Sequence, residues 1–125
     1  MLFKAEDQRI IKEERQMATQ ANDNHDEKIV VFVDEDLQDL IPGYLAGRHK
    51  DIAAIRAALT SGDYEAIRSI GHKMKGSGGG YGFDQITEIG RAIEDAAKID
   101  HGEEILRQSE ALKTYLERVE IVFQA

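Results

Sequence analysis

The chain of 125 residues contains no cysteine, which excludes disulfides, thiol nucleophiles and cysteine-ligated metal sites. It has no apolar run near the ~20 residues that cross a bilayer, and its N-terminus lacks the apolar stretch of a signal peptide. A single proline and a low aromatic content agree with a helical protein. We therefore expect a cytoplasmic, single-domain protein, since this length suffices to bury one hydrophobic core.

Positive charge is also scarce. The 24 acidic side chains outnumber the 16 basic ones and give a formal net charge of −8. Nucleic-acid binding depends largely on cationic contacts to phosphate, so this balance argues against a nucleic-acid partner. Without a membrane-spanning stretch, no membrane partner is expected either.

The N-terminal quarter of the chain differs from the rest. Residues 1–27 are polar and end in a charged, turn-forming stretch. Ile10, Ile11 and Met17 form too thin an apolar stripe to predict a helix there. We interpret residues 1–27 as a flexible polar arm or linker, and residues 28–125 as the folded domain.

A β-branched apolar run from Lys28 to Val33 follows and favours a strand. It is similar to the first strand of a receiver domain, but no further apolar β-runs follow to build the parallel sheet of that fold. We therefore expect an extended segment that lies across a helical core.

The apolar period becomes helical from Asp34 onward. Asp34 can cap a short first helix, and Pro42 is best tolerated in the first turn of a second helix that runs to about residue 59. Gly62 then ends that helix, and Asp63 caps the next one, which runs from about residue 64 to about 80. The tight turn between them predicts antiparallel neighbours.

Two more helices complete the prediction. One begins after Asp84 and stops near Ile99, and Asp100 is expected to cap the last one, with Glu103 three residues further on. The inward stripe of the last helix is predicted to contain Ile105, Ser109, Leu112, Leu116, Val119 and Phe123. The predicted fold is all-α, an antiparallel up-and-down four-helix bundle with a short extra N-terminal helix.

The glycine-rich segment on the predicted third helix carries the chemistry. Its apolar stripe is predicted to contain Ile67, Ile70, Gly71, Met74, Gly78 and Tyr81. At about 100° per residue, His72 lies roughly 160° around from Met74, so its imidazole should face solvent. Residues three and four positions on share that surface, which places Lys75 and Gly76 beside His72, with Arg68 and Gly79 flanking it.

This arrangement suits reversible phosphoryl transfer. Neutral histidine keeps a ring nitrogen that can attack an acyl phosphate. A lysine one turn away stabilises the charge of the transferring group, and Gly76 leaves room for an aspartate that belongs to another protein.

Other interpretations of the same residues remain open. A solvent-facing histidine on an amphipathic helix is usually an ordinary surface residue, and the glycines could equally end the helix near Gly76 as continue it through Gly79. The spacing fits neither a dinucleotide-binding glycine pattern nor a phosphate loop. The remaining histidines, His25, His49 and His101, lack the spacing of a metal site.

One segment resembles a known family. The string from His72 to Ser77, followed by Tyr81-Gly82-Phe83 and by Ile89-Gly90, is similar to the histidine phosphotransfer (HPt) domains of two-component phosphorelay systems. The likeness runs from about Val33 to Phe123. The sequence departs from the common pattern in having Gly71 where alanine is usual, and in three consecutive glycines from Gly78.

The resemblance implies roles for individual residues. His72 would be phosphorylated, Lys75 would support the phosphate, Gly76 would give clearance, and Ser77 matches the motif without a defined role. Docking of the partner would involve Arg68, Gly79, Arg91 and Glu94. The resemblance also implies a covalent phosphoryl carrier, not a kinase, with no ATP site and no cofactor of its own; the receiver partner would hold Mg²⁺.

The expected partners are response-regulator receiver domains and a hybrid histidine kinase, and the expected state is a monomer. Under the leading hypothesis, His72 accepts a phosphoryl group from a receiver aspartate and returns it to another receiver. Two alternatives stay open at this point. The bundle could dock a receiver without being phosphorylated, or it could be the phospho-accepting domain of a larger histidine kinase.

Overall fold

The computed structural model describes residues 27–125. The predicted arm, which includes Ile10, Ile11, Met17 and His25, lies outside the described residues apart from Glu27. The elements in chain order are strand β1 (Ile29–Asp34), a 3-10 helix (Glu35–Leu40), α1 (Ile41–Ser61), α2 (Tyr64–Ser77), a 3-10 turn (Gly79–Tyr81), α3 (Asp84–Lys98), α4 (Gly102–Arg118) and strand β2 (Val119–Gln124). The four helices form the predicted all-α bundle.

The predicted boundaries of the first helices are confirmed except at the end of α2, which stops at Ser77 and not near residue 80. The carboxylate of Asp34 accepts a hydrogen bond from the backbone N–H of Asp36 at 2.8 Å and so caps the short 3-10 helix. Gly62 ends α1 with a φ of 72°, a left-handed conformation that glycine adopts without steric cost. Asp63 caps α2 by accepting from the N–H of Ala66 at 3.1 Å.

The predicted cap of the last helix is wrong. His101 occupies the capping position of α4, and no side chain caps it there. Asp100 instead has a φ of 55° and belongs to the end of α3, where the N–H of His101 donates to the carbonyl of Ala96 at 2.9 Å. Aspartate tolerates this left-handed conformation better than most residues, so it ends one helix here and does not begin the next.

The two ends of the described chain form a small parallel sheet. β1 pairs with β2 in a register that runs from Ile29 opposite Val119 to Asp34 opposite Gln124. The prediction that the apolar run near residue 30 lies alone across the helices is therefore incomplete. The prediction that the last helix extends through Phe123 is wrong, because α4 ends at Arg118 and the β-branched residues that follow prefer a strand.

The core lies between the four helices and the inner face of the sheet. Its fully buried side chains are Val33, Ile41, Ile55, Ile67, Met74, Phe83, Ile86, Ile93, Ile105, Ser109 and Leu112. The outer face of the sheet carries Val30, Phe32 and Val122, which are all exposed. None of the helices within residues 27–125 combines the length and the apolarity that crossing a membrane demands.

Glycines bring α2 and α3 into close contact. A Cβ on Gly71 would lie 2.7 Å from the backbone nitrogen of Glu94, and a Cβ on Gly90 would lie 2.5 Å from that of Lys75. Gly78 is equally confined, since a Cβ there would lie 2.7 Å from the backbone nitrogen of Thr87. Any side chain at these positions would force the helices apart, so the glycines set their separation.

Candidate functional site

His72 lies in the middle of α2 on the face that points away from the core. Its neighbours Gly71 and Met74 are buried, whereas 64% of the His72 side chain is exposed. The orientation follows from the helical period, because the apolar positions fix one side of α2 against the bundle. The imidazole is therefore accessible to a large molecule, as the sequence pattern predicted.

Glu94, which lies on α3, contacts the His72 side chain of α2. Its carboxylate Oε2 lies 3.0 Å from Nδ1 of His72, and its Oε1 lies 2.7 Å from Nζ of Lys75. Only 5% of the Glu94 side chain is exposed, against 32% for Lys75. One buried carboxylate therefore binds both residues that the sequence placed at the centre of the chemistry.

The charges around Glu94 keep it ionised. The hydrogen bond from the Lys75 ammonium is the largest influence and lowers the pKa of the Glu94 carboxyl, with the His72 hydrogen bond acting in the same direction and desolvation opposing both. An ionised carboxylate can only accept hydrogen bonds, so Nδ1 of His72 carries the proton in this contact. When the ring is neutral, the other ring nitrogen, Nε2, then carries the lone pair.

Gly76 leaves the surface next to His72 bare. No atom lies within 4 Å of the position that a Cβ would occupy, and the residue is exposed. α2 continues to Ser77, so Gly76 lies within the helix and does not terminate it. Gly79 follows in the 3-10 turn and donates its N–H to the hydroxyl of Thr87 at 2.8 Å. The helix therefore ends between Gly76 and Gly79, the two end points that the sequence pattern left open.

Ser77 points toward α1. Its hydroxyl lies 2.9 Å from the phenol oxygen of Tyr44, and the ring of Tyr44 stacks on Tyr81 with the ring centroids 4.3 Å apart. The guanidinium of Arg48 lies over the Tyr44 ring, 4.4 Å from the ring centroid. Ser77 therefore links α2 to α1, and no sequence pattern indicated Tyr44 as its partner.

Two of the other residues expected at the docking surface are arginines that pair with glutamates of their own helices. Arg68 forms an ion pair with Glu65, and Arg91 lies 3.7 Å from Glu88 with 55% of its side chain exposed. Elsewhere in the chain, His49 and His101 are exposed. Within residues 27–125, no group of three or more histidine, aspartate or glutamate side chains could hold a metal ion.

Sequence reasoning underestimated Glu94, which it considered only for partner docking. The structure places its carboxylate under His72, buried between two helices. A signal for this position was present, because Glu94 continues the spacing of Ile86 and Gly90 along the buried stripe of α3. A carboxylate on a buried stripe needs a cationic or hydrogen-bonding partner, and an aligned histidine and lysine supply it.

One of the comparisons with known proteins identifies a family. A family model described as the Hpt domain matches residues 35–121, which is most of the chain and includes all four helices. No curated protein and no solved structure matched significantly. The matched range contains the exposed histidine, the lysine and the bare glycine in their observed arrangement, and the chain belongs to the histidine phosphotransfer (Hpt) domain family.

Proposed function

We propose that the protein is a phosphorelay intermediate that accepts a phosphoryl group on His72 from a receiver aspartate and passes it to an aspartate of another receiver. Membership of the Hpt family supports a phosphotransfer role. The observation that carries the proposal for this chain is the Glu94 carboxylate, which contacts Nδ1 of His72 and Nζ of Lys75 at once. That contact prepares an exposed ring for nucleophilic attack.

The attacking atom in this proposal is Nε2. Its lone pair forms a bond to the phosphorus of an aspartyl phosphate, while the bond from phosphorus to the aspartate oxygen breaks and the carboxylate leaves with that electron pair. The proton stays on Nδ1, where Glu94 balances the positive charge that develops on the ring. The reverse reaction returns the phosphoryl group to a second aspartate.

Lys75 has a supporting role. Its ammonium lies one turn along α2 from His72 and is held by Glu94 at 2.7 Å. From there it can stabilise the negative charge on the transferring phosphoryl oxygens without entering the bond that forms. We expect that replacing Lys75 would slow phosphoryl transfer, whereas replacing His72 would abolish it.

The bare surface at Gly76 supports the choice of partner. A receiver aspartate can deliver a phosphoryl group only if its own domain comes within bonding distance of His72, and Gly76 removes an obstacle to that approach. We propose that the partners are response-regulator receiver domains, including that of a hybrid kinase, and that the receiver holds the Mg²⁺. A covalent carrier of this kind acts as a monomer in the cytoplasm and needs no ATP site.

A phosphotransfer assay tests the proposal. The full chain is incubated with receivers phosphorylated on aspartate, and acid-labile label on the chain is followed by gel, with transfer to a second receiver as the next step. Labelling on His72 followed by transfer is the expected result. Binding of receivers without any label would instead favour the docking-only alternative, and labelling that requires a fused kinase domain would favour the excised-domain alternative.

A further inference from the structure

The helix crossing under the site is unusually close at one pair of glycines. Gly71 and Gly90 face each other, so that a Cβ on Gly71 would meet the backbone carbonyl oxygen of Gly90 at 2.9 Å, and one on Gly90 would meet that of Gly71 at 2.8 Å. Each glycine lowers helix stability by about 1 kcal/mol relative to alanine. The two backbones approach to a distance that no other residue type allows.

We propose that the Gly71–Gly90 crossing is a positioning device, which holds Glu94 against His72 and thereby selects Nε2 as the nitrogen that accepts the phosphoryl group. The inference deepens the proposed function and rests on it for the consequence in transfer. Its structural part, the location of the proton on the ring, can be measured without any phosphoryl transfer.

The reach of Glu94 explains why the crossing matters. The glutamate follows Gly90 by one helical turn, and its backbone nitrogen is the atom closest to the Cβ position of Gly71. From this backbone, a side chain with two methylene groups binds both His72 and Lys75 of α2. A shift of α3 by about the size of a methyl group would move the carboxylate away from Nδ1, because Glu94 is carried by the backbone that moves.

Gly78 provides a matched control. It is as confined as Gly71 and Gly90 and lies on the same contact between α2 and α3. Its neighbour across the contact is Thr87, which precedes Glu94 by about two helical turns, or roughly 10 Å along the axis. A methyl group at Gly78 therefore disturbs the packing of the same two helices at a distance from the carboxylate.

The experiment compares three variants of the full chain, Gly90→Ala, Gly78→Ala and Gly43→Ala. A Cβ at Gly43 would meet no atom within 4 Å, so this variant reports the effect of alanine alone. Nitrogen chemical shifts of the His72 ring, measured by NMR at mildly alkaline pH, show which nitrogen carries the proton. The rate of transfer from a phosphorylated receiver is measured on the same samples.

In the parent chain and in Gly43→Ala, we expect the proton on Nδ1. In Gly90→Ala, the Nδ1–H form should lose its preference, and transfer should slow about tenfold, as expected for one lost charge-assisted hydrogen bond. In Gly78→Ala, the ring should keep the parent signature and the transfer rate should stay within about twofold, even if the melting temperature falls as much as in Gly90→Ala.

Two results would overturn the inference. One is an unchanged proton location in Gly90→Ala, and the other is an equal shift in Gly78→Ala, which would indicate a general packing effect. Should Gly90→Ala fail to fold, Glu94→Asp decides the question, because it withdraws the carboxylate by one methylene group and leaves the glycines in place. Retention of the Nδ1–H form in Glu94→Asp would also overturn it. If the parent shows the expected proton location but takes no label, the proposed function fails and only the structural part of the inference, the location of the ring proton, stands.

Discussion

The α2–α3 contact and the two-stranded sheet use opposite means of joining parts of the chain. Where α2 crosses α3, three glycines remove side chains so that the backbones touch and functional groups can meet across the contact. In the sheet, backbone hydrogen bonds join the strands, and their branched and aromatic side chains pack one face on the core while Phe32 remains 58% exposed on the other. The first contact is therefore expected to govern transfer, and the second to govern stability.

The largest expected effect is at the centre of the site. His72→Gln should abolish labelling, because it removes the attacking nitrogen, while an exposed side chain contributes little to the core. Phosphotransfer assays and thermal melts of the same sample measure the two properties. Retained labelling, or a large fall in melting temperature, would contradict the assignment of His72.

A side chain at Gly76 should separate transfer from stability most clearly. Gly76→Gln should slow transfer sharply, by about tenfold or more, because the new side chain lies beside His72 in the path of the receiver. Stability should stay level or rise by about 0.5 kcal/mol, since glutamine is the better helix former. Transfer kinetics and denaturant unfolding measure both changes, and an unchanged transfer rate would mean that partners do not approach over this residue.

Substitutions in the sheet should instead change stability and leave the transfer rate unchanged. Val33 is 1% exposed at the end of β1, so Val33→Ala should lower the free energy of unfolding by about 2 kcal/mol and leave the transfer rate of the folded protein unchanged. Phe32→Ser, one residue earlier on the exposed face, is the matched control and should lower it by much less. Equal losses in the two variants would mean that a partner or another part of the chain covers the outer face.

The pH dependence of the free energy of unfolding at acid pH should depend on the charge of Glu94. Its pKa in the folded protein is lowered by Lys75 and His72, so the interaction stabilises the fold above the ordinary glutamate pKa and is lost as the pH falls through the lowered value. Glu94→Gln should therefore be less stable than the parent near pH 7, and the difference should shrink as the pH falls below the ordinary glutamate pKa. A difference that stays constant over this range would mean that the charge of Glu94 does not matter to folding.

The smallest effect is expected in the core. Ser109 is fully buried on α4, and its hydroxyl has no hydrogen-bond partner within residues 27–125. Ser109→Ala should raise the free energy of unfolding by up to about 1 kcal/mol, because it removes a polar group that lost its water on folding. Chemical denaturation measures the change, and a loss of stability would reveal an undetected partner for the hydroxyl.

Sequence patterns that act over a few residues predicted most of the fold and part of the site. Both ends of α1 and the start of α2 follow from Pro42, Gly62 and Asp63, whose effects act within a few residues. The pairing of β1 with β2 could not be found this way, because each strand forms only when the helices between them have brought the ends together. Sequence periodicity likewise placed His72 on the surface, but the position of Glu94 depends on how closely two helices cross.

The parallel pairing of β1 with β2 also has a kinetic consequence. Ile29 and Val119 lie ninety positions apart in the chain, so closing this loop costs far more entropy than closing the short turns between successive helices. The helices can assemble through nearby contacts first, and the strands then join as the last step. Opening should follow the reverse order, with amide hydrogens of the strands exchanging before those at the crossing of α2 and α3. The bundle is thus expected to release both strands while the contact between His72 and Glu94 remains assembled.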